Sequence, residues 1–493
     1  MNSWQRRDFV KALVAAPIAV TGSARFAKAQ YVGPAASRPQ SILGHTNPRE
    51  NPFTAMGDGR ADDTRAVQGA IDAAIINHQG GGVFVPAGTY KISNTLHIEN
   101  VSGLKFSGVS VGATRFIWDG PPDVPMFLLR DARDVVMNDF RINSNPRKPL
   151  FTGIQIENGP KRIWAPSQNH FQRIIINGTN KGGLTNGFRV AKGAGGDNNN
   201  DFHEFLRCQV RSYQGYGYSI EHSQSHTNRF YSCTFSGYSF GLAGVRTKHG
   251  SFSWYGGGGG GNTVADFLLG SPNVLISIIN GNFEDSARLL STGGPTGASW
   301  PIHIQGVRYT AAKLAEDDIM IDVKNPGPLI LENNLFGTSS LPRMPRVRLE
   351  STQPGATFVS QGNLWLGQDA YDKSPYIFSS QGATSLNAKI ESDSFAGKGD
   401  KDVTVFENGD TKPTTHFSKW FKTHNTQDTT ITHLRNGWAG AQRVILINDN
   451  NTRFDFKSGN LRGNAGQPWH AKKGSTMNCL FDGKHWRCQP RRQ

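Results

Sequence analysis

The chain has 493 residues, of which 57 are glycine and only 18% are charged, a composition that suits a chain of many turns and argues against a helical bundle. No apolar run approaches the roughly 20 residues needed to span a bilayer. The formal net charge is +15, and most of it lies beyond residue 411, where 14 lysines and arginines face four aspartates and no glutamate. This imbalance predicts a polyanion contact for the C-terminal part alone.

The first 29 residues have the pattern of an export signal. The segment RRDFVK at residues 6–11 resembles the twin-arginine motif, an alanine-rich apolar stretch follows, and Ala27-Lys28-Ala29 forms an A-x-A cleavage site. We therefore predict removal of residues 1–29, export to the periplasm or beyond, and an extended leader over residues 30–52. Because an exported protein more often meets acidic polysaccharide than nucleic acid, no nucleic-acid partner is expected.

The next segment predicts one short helix followed by strands. Asp62 and Asp63 can cap a helix that runs to about Asn77, with apolar residues on one face, and Gly80-Gly81-Gly82 ends it. Val83-Phe84-Val85 then predicts a strand, and the apolar residues that follow alternate with a period of two as far as Ile98.

These residues resemble the N-terminal signature of the pectate-lyase-like right-handed β-helix superfamily, in its branch of rhamnogalacturonases, epimerases and tailspike depolymerases. The resemblance rests on Gly57-Asp58-Gly59, Asp62-Asp63-Thr64, Gly81-Gly82-Val83 and Pro86-Ala87-Gly88-Thr89-Tyr90. It implies a helix that caps the open end of a solenoid, and it leaves open a homotrimer like those of the tailspikes. It does not fix the reaction, because the superfamily includes lyases, hydrolases, epimerases and non-catalytic binders.

Three later segments repeat one sequence pattern, in which a turn glycine and a short alternating strand are followed by a second strand that begins with phenylalanine. The repeats start at Gly153, Gly187 and Gly217, and the phenylalanines are Phe171, Phe205 and Phe230. A unit this small cannot bury its own apolar face, so neighbours must stack. The pattern predicts an all-β fold, a parallel β-solenoid with coils about 4.8 Å apart. Together with the resemblance, this implies a right-handed parallel β-helix over residues 53–411. The three phenylalanines should form one interior ladder.

Cysteines and glycines add local predictions. Cys208 and Cys233 share one inward slot on successive coils and are expected to stack as free core thiols. The run from Gly256 to Gly261 predicts a flexible loop, with a loop that closely approaches a ligand as the alternative. In the basic C-terminal β module, residues 412–493, Cys479 and Cys488 flank a hairpin turn and could form a disulfide or remain free.

Outward residues of stacked strands are the candidates for chemistry. Glu157 and Glu221 should lie two coils apart with Arg189 between them, a spacing that suits the acid and base of an inverting glycoside hydrolase. The alternative is a pair of solvated surface glutamates. Glu284 and Asp285 form a third acidic site, and Asp266 lies on the preceding coil. Of the neighbours Glu284 and Asp285, only Glu284 is expected to face the groove.

The remaining candidates would bind substrate. Arg173, Arg207 and Arg211 form an outward column that could hold a uronate carboxylate, and the alternative is a set of scattered surface cations. Histidines and tyrosines nearby are candidates for proton transfer, and aromatic residues beside glycine loops could stack on sugars; these are His222, His226, Tyr213, Tyr216, Trp164, Trp254 and Tyr255.

The chain is therefore predicted to be an exported enzyme that cleaves glycosidic bonds of an extracellular, acidic polysaccharide. Hydrolysis is slightly favoured over β-elimination because the solenoid is close to neutral. The alternative is a non-catalytic protein that binds such a polymer. No metal-binding motif is present and no cofactor is predicted; calcium stays open without an identified ligand set.

Overall fold

The computed structural model describes residues 44–491, apart from the segments 77–80, 161–164, 180–182, 197, 271–274, 293–300, 312–317, 325–326, 339–344, 352–355, 367–375, 381–386, 392, 397–403, 416–419, 436 and 438–440. The predicted export signal, most of the leader and Trp164 lie outside the described residues.

The main body is a right-handed parallel β-helix of about 13 turns, as predicted from the repeats. Every ladder between consecutive turns is parallel, and the pairings define three walls. The first wall is formed by His45–Thr46, Gly82–Val85, Lys105–Gly108, Val136–Asn143, His170–Asn177, Glu204–Leu206, Asn228–Tyr231, Phe252–Tyr255, Ile276–Ile279, Ile302–Gln305, Pro328–Glu332, Thr357–Gln361 and Asn387–Glu391.

Two long strands of the first wall bend and continue into the second, which also carries the candidate site. These are Val136–Asn143 and His170–Asn177. The other strands of the second wall are Asp58–Asp62, Gly88–Ile92, Thr114–Trp118, Gln209–Arg211, Thr234–Thr247, Gly258–Leu269, Asn282–Glu284, Arg308–Ala311, Leu335–Thr338, Leu364–Leu366 and Ser394–Ala396.

The third wall shares Thr234–Thr247 and Gly258–Leu269 with the second, because both strands bend at its edge. Its other strands are Leu96–Ser102, Pro125–Arg133, Leu150–Asn158, Leu184–Gly193, Tyr216–Ile220, Leu290–Thr292, Ile319–Lys324, Arg346–Ser351 and Tyr376–Ser380.

The predicted helix is present at Thr64–Ile76 and packs on the first turns. Asp62 caps it, accepting a hydrogen bond from the backbone N–H of Thr64 at 3.1 Å. Asp63 instead accepts bonds from two backbone N–H groups of the preceding loop, Met56 at 2.7 Å and Gly57 at 3.0 Å. The two aspartates of the signature therefore fix both the start of the helix and the loop that leads into it.

The interior ladder of aromatic rings is confirmed. Phe171 stacks on Phe205 with ring centroids 5.1 Å apart, and Phe205 stacks on Phe230 at 4.6 Å with planes only 6° apart. Trp254 extends the stack at 5.3 Å from Phe230. Each ring comes from a new turn, so the stacking reports the register of the coils directly. Cys208 and Cys233 are buried and unbridged, as predicted.

The prediction of a flexible loop at the glycine run is wrong. Gly258 begins the strand Gly258–Leu269, which pairs with neighbours on both sides. Gly259 occupies the inward slot between Phe235 and Phe283, whose rings stack at 5.9 Å across it. A Cβ on Gly259 would collide with the Phe235 ring. The glycines are thus ladder residues that let two aromatic rings meet across an intervening coil.

The C-terminal residues form two smaller sheets around a core of their own. One has six strands in the order Thr404–Val405, Trp420–Lys422, Gln442–Leu446, Thr476–Phe481, Trp486–Arg491 and Leu461–Gly463. The other contains Thr429–Ile431, Thr452–Phe454 and Trp469–His470, and a short 3-10 helix spans Asn464–Gly466. The domain boundary at residue 411 stays a prediction.

The hairpin predicted around Asp482-Gly483 is present, with Cys479 directly opposite Cys488. The two cysteines form a disulfide, which resolves the alternative left open by the sequence. In the described part of the chain, the model contains no helix with the length and apolar character of a membrane span.

Candidate active site

The second wall contains a cleft of about 530 Å³ whose floor has no side chains. Its floor is Gly257–Gly261, and its rim is lined by Thr234, Phe235, Ser236, Tyr238, Ser239, Asn282, Glu284 and Asp285. The floor lacks side chains because of the register of three successive coils. Ser236, Gly260 and Glu284 occupy the same slot, so a coil without outward side chains lies between two coils that have them.

Close packing keeps the floor free of side chains. A Cβ on Gly258 would collide with the backbone carbonyl of Asn282, and one on Gly260 with that of Glu284. Gly256, Gly257 and Gly261 adopt positive φ values between 67° and 71°, a region that L-residues rarely occupy. Both reasons favour glycine along this stretch. An outer surface of bare backbone lets a polymer approach the wall closely.

Two carboxylates stand at the same edge of the cleft. Glu284 is the last residue of Asn282–Glu284, and its side chain is exposed, as the sequence predicted. Asp285 was expected to point away, because neighbours on a strand face opposite sides. That expectation is wrong: Asp285 lies beyond the strand end with φ of 60°, is exposed, and lines the cleft beside Glu284.

Hydroxyl groups line the opposite edge. Tyr238 is 52% exposed, and both Tyr238 and Ser239 have positive φ, at 48° and 66°. This irregular turn interrupts the pairing of Thr234–Thr247 with the glycine strand and directs two polar residues over the cleft. Among the described residues that line the cleft there is no lysine or arginine, so the cleft combines two acids with neutral hydroxyl and amide groups.

Asp266 lies behind this surface and does not reach it. It is fully buried, and Oδ1 accepts hydrogen bonds from Ser286 at 2.6 Å and Asn262 at 2.9 Å. Burial raises the pKa of Asp266 well above its usual value, with only partial compensation by these bonds. The predicted catalytic role of Asp266 is therefore wrong, since a fully buried carboxyl cannot contact a polymer. Its neutral form instead belongs to the hydrogen-bonded layer beneath the cleft.

Arginines lie on the same wall, nearer the N-terminus. Arg211 is exposed and occupies the slot of Ser236 on the preceding coil. Arg115 and Arg141 are direct cross-strand neighbours, although like charges in that arrangement repel. Burial, and then the charges of Arg115 and Arg211, lower the pKa of Arg141. In the part of the chain that is described, none of the three forms an ion pair with a carboxylate.

The predicted pair Glu157 and Glu221 is placed as expected but is not available as an acid and a base. Gln155, Arg189 and Ser219 share one outward slot on the third wall, and Glu157 and Glu221 lie close to it. Glu157 is only 8% exposed; Arg130 donates to its Oε1 at 2.7 Å and Gln155 to its Oε2 at 2.6 Å.

Glu221 is equally engaged. Arg189 donates to both of its oxygens, at 2.8 and 3.1 Å, and also bonds Gln155 at 3.1 Å. Burial alone would raise the pKa of Glu221, but the bonds and charge of Arg189, with Ser219 and Arg246, lower it overall. The third wall thus carries a ladder of alternating charges in which Arg189 holds neighbouring coils together instead of binding substrate.

Three other predicted contacts are buried. Trp254 belongs to the interior stack, so its predicted stacking on a sugar is wrong. Tyr213 is fully buried and donates to Asn262 at 2.7 Å. His222 is buried, and its ring lies 3.1 Å from the carbonyl of Gly196. Tyr213 and His222 lie at corners between strands, where the period of two fails, so the alternation pattern did not identify them as buried.

Arg207, Arg211 and His226 are exposed and Arg173 is half-buried, and none of the four lines the cleft. Arg173 and Arg207 do share a corner slot, with φ of 48° and 52°. Arg173 is neutralised by Asp139 through two bonds of 2.6 Å, so it is not a free anion-binding group. Of the proposed arginine column, Arg211 alone lies on the wall of the cleft.

Sequence reasoning missed most of the rim, namely Ser236, Tyr238, Ser239, Asn282 and Asp285, together with Arg115 and Arg141. The glycine run was the available signal, because six glycines between two alternating strands leave a coil without outward side chains. The described residues contain no group of three or more His, Cys, Asp or Glu side chains arranged to hold a metal ion.

Comparisons with known proteins agree with the N-terminal resemblance. Residues 51–116 match the model of a family described as "Rhamnogalacturonase A/epimerase, pectate lyase-like". The chain is 56% identical to mannuronan C5-epimerase AlgE3 of Azotobacter vinelandii over 43 residues, 8% of this chain and 2% of that protein. It is 25% identical over 117 residues, 24% of this chain, to plasmin and fibronectin-binding protein A of Streptococcus pneumoniae, of which the match covers 13%.

Among solved structures, the A-module of mannuronan C-5 epimerase AlgE6 from Azotobacter vinelandii superposes with a TM-score of 0.45 and 15% identity, covering 71% of this chain and 99% of that one. The chain spans between 2% and 13% of the length of the curated relatives named above. The family match is confined to the N-terminal turns, where it agrees with the resemblance found in the sequence of that segment.

Proposed function

We propose that this protein hydrolyses glycosidic bonds of a polysaccharide bound along its second wall, with the cleft as the active site. The observation that carries the proposal is the pair of exposed carboxylates, Glu284 and Asp285, at the edge of a floor without side chains. Glycoside hydrolysis in most families uses two carboxyl groups beside the scissile bond, one of them acting as an acid. The floor without side chains lets the polysaccharide chain reach both carboxylates.

In this mechanism Glu284 and Asp285 share the acid and base roles. One carboxyl group protonates the leaving oxygen as the bond to the anomeric carbon breaks, and the other activates the attacking water or attacks the anomeric carbon itself. Tyr238 and Ser239 are placed to hydrogen-bond sugar hydroxyl groups from the opposite rim. NMR of the first product distinguishes inversion from retention of the anomeric configuration.

An acidic polysaccharide is the proposed substrate because of the arginines on the same wall. Arg211 lies three coils from Glu284, a distance of about 14 Å at the coil spacing of parallel strands. A chain that occupies the cleft and continues along the wall would bring its acidic groups to Arg211, Arg141 and Arg115, where they relieve the repulsion among the guanidinium groups.

The test is cleavage of a polysaccharide panel, assayed by new reducing ends, with polyuronates included because some relatives are named as mannuronan epimerases. Glu284→Gln and Asp285→Asn are each expected to lower the rate by about 10²–10⁴-fold, the usual contribution of a general acid or base. Glu407→Gln is the matched control, since it removes an exposed carboxylate remote from the cleft lining.

A lyase or epimerase is the second candidate, and the arginine cluster favours it, because neutralising a uronate carboxylate eases proton abstraction at the neighbouring carbon. Tyr238, exposed on the rim, would then be the proton-transfer group. Ultraviolet absorbance of unsaturated uronate ends identifies elimination, and solvent hydrogen exchange into an uncleaved polymer identifies epimerisation. Export, and a mature chain that begins after residue 29, belong to the proposal and are tested by N-terminal sequencing of the secreted protein.

A further inference from the structure

A second surface, on the six-stranded sheet, has the character of a glycan-binding face. Its strands alternate between the buried core and the outside, and the outward residues fall into register across the sheet. One row runs through Trp420, Val444, Asn478 and Gln489, and the adjacent row runs through Gln442, Leu480, Arg487 and Arg462. The sheet is distinct from the solenoid walls, so this face does not depend on the cleft.

Apolar side chains on this face are unusually exposed. Trp420 is 43% exposed and Leu480 is 45% exposed, although tryptophan is usually well buried. Trp420 stands on the outer side of Trp420–Lys422, whose middle residue, Phe421, is buried in the core beneath. A tryptophan held at the surface by a buried neighbour presents a flat ring for stacking on the apolar face of a sugar.

Planar polar groups occupy the neighbouring strands of the same face. A concave region of about 680 Å³ on this sheet is lined by residues that include Gln442, Asn478, Gln489, Arg462 and Arg487. Within the described part of the chain, the amides of Gln442, Asn478 and Gln489 form no hydrogen bond to protein. An amide has two donors and an acceptor, and so can bind adjacent sugar hydroxyl groups.

The face is positive. The five strands from Trp420–Lys422 to Leu461–Gly463 contain four arginines, one lysine and no acidic residue. Arg487 pairs with Asp482 in the hairpin turn at 2.6 Å, whereas Arg462 donates to the carbonyls of Gly459 and Leu461 at 2.6 and 2.7 Å. A guanidinium that bonds only neutral carbonyls among the described residues keeps its net charge for an anionic ligand.

The face is also rigid. Cys479 and Cys488 lie opposite each other in the row just beneath the surface, and their disulfide joins the adjacent strands Thr476–Phe481 and Trp486–Arg491. Arg443, in the same row, is buried, and its guanidinium lies 5.7 Å from the ring of Trp486. Preorganised side chains lose less entropy on binding, which favours recognition of a flexible polymer.

We infer that this sheet face binds an acidic polysaccharide strand, with Trp420 stacking on a sugar ring, the amide groups bonding sugar hydroxyl groups, and Arg462 pairing with a carboxylate. The inference is independent of the hydrolytic cleft. It gives the cationic groups of this face a ligand, a carboxylate-bearing glycan chain.

The test measures affinity of the full chain for a polyuronate, with a neutral glucan as the comparison ligand, by affinity electrophoresis at several salt concentrations. Trp420→Ala is expected to weaken polyuronate binding by about tenfold, which corresponds to roughly 1.4 kcal/mol, a stacking-sized loss. Phe202→Ala is the matched control, because Phe202 is 45% exposed and lies on the solenoid. Arg462→Gln should weaken binding and flatten its salt dependence, with Lys457→Gln as the matched charge control.

Circular dichroism and the thermal transition establish that each variant is folded, and the double variant Asn478→Ala/Gln489→Ala gives a second measurement if Trp420→Ala unfolds the sheet. Parental affinity in either folded Trp420→Ala or the amide variant overturns the inference, as does an unchanged salt dependence in the arginine variant. Glu284→Gln should bind at this face like the parent, so failure of this site and failure of the cleft are distinguishable.

Discussion

Replacing Phe205 by alanine should destabilise the solenoid strongly, because this ring is the centre of the interior ladder. Its centroid lies 5.1 Å from Phe171 and 4.6 Å from Phe230 in stacked geometry, and 5.2 Å from Phe188 and 5.9 Å from Tyr218 in edge-to-face geometry. Four aromatic partners, from its own turn and from the two adjacent turns, would face the resulting cavity.

Truncating a buried phenylalanine to alanine usually costs about 3–5 kcal/mol, and the four ring contacts place Phe205 near the upper end of that range. A loss of this size is a large part of the whole stability of a typical domain. Because each turn contacts only its neighbours, the damage should centre on the turns around residues 171–230.

Urea unfolding followed by circular dichroism gives the change in the free energy of unfolding, and hydrogen exchange locates it along the chain. Phe202→Ala, an exposed aromatic three residues earlier, should shift stability by less than about 0.5 kcal/mol. A loss below about 1 kcal/mol for Phe205→Ala, or protection lost evenly over the whole chain, would contradict stacking of these rings across turns.

Three further predictions concern other parts of the molecule. Burial raises the pKa of Asp266 in the folded state, so the parent should lose stability relative to Asp266→Asn as pH rises above the usual carboxyl pKa. Denaturation of both proteins at acidic and alkaline pH measures the difference in stability. A difference that stays constant with pH would refute the prediction. Arg189 lowers the pKa of Glu221, so Glu221→Gln should be less stable than the parent at neutral pH, and the difference should shrink as pH falls. The variant should keep its cleavage activity. Loss of cleavage in a folded variant would return Glu221 to the catalytic site. The Cys479–Cys488 disulfide closes a short loop of sequence separation 9, and its reduction should lower the free energy of unfolding of the C-terminal sheet by about 2–3 kcal/mol. Thiol labelling of the native protein should leave the buried Cys208 and Cys233 unmodified. Rapid labelling of these two cysteines would contradict their place in the core.

The sequence was sufficient for the fold because its repeats fix register. Once Phe171, Phe205 and Phe230 are aligned, the slots of the first and third walls follow, including the common column of Gln155, Arg189 and Ser219. The disulfide was foreseeable as one of two outcomes, because a hairpin turn between Cys479 and Cys488 places them on facing strands.

The site was less predictable, because slot assignment gives the direction of a side chain but not its partners. Glu157 and Glu221 point outward as expected, yet arginines on adjacent coils occupy their carboxylates. Asp285 enters the cleft because the chain turns through a positive φ immediately after a strand, and no alternation rule includes such a turn. The glycine run was misread because a strand without side chains lacks the apolar pattern that identifies strands.

The most direct test of the proposed site is the rate of reducing-end release by Glu284→Gln and Asp285→Asn on a polysaccharide that the parent cleaves, measured beside Glu407→Gln. Both cleft variants should fall by about 10²–10⁴-fold while the control keeps the parental rate. Full activity in either folded cleft variant would show that the chemistry of this solenoid lies elsewhere.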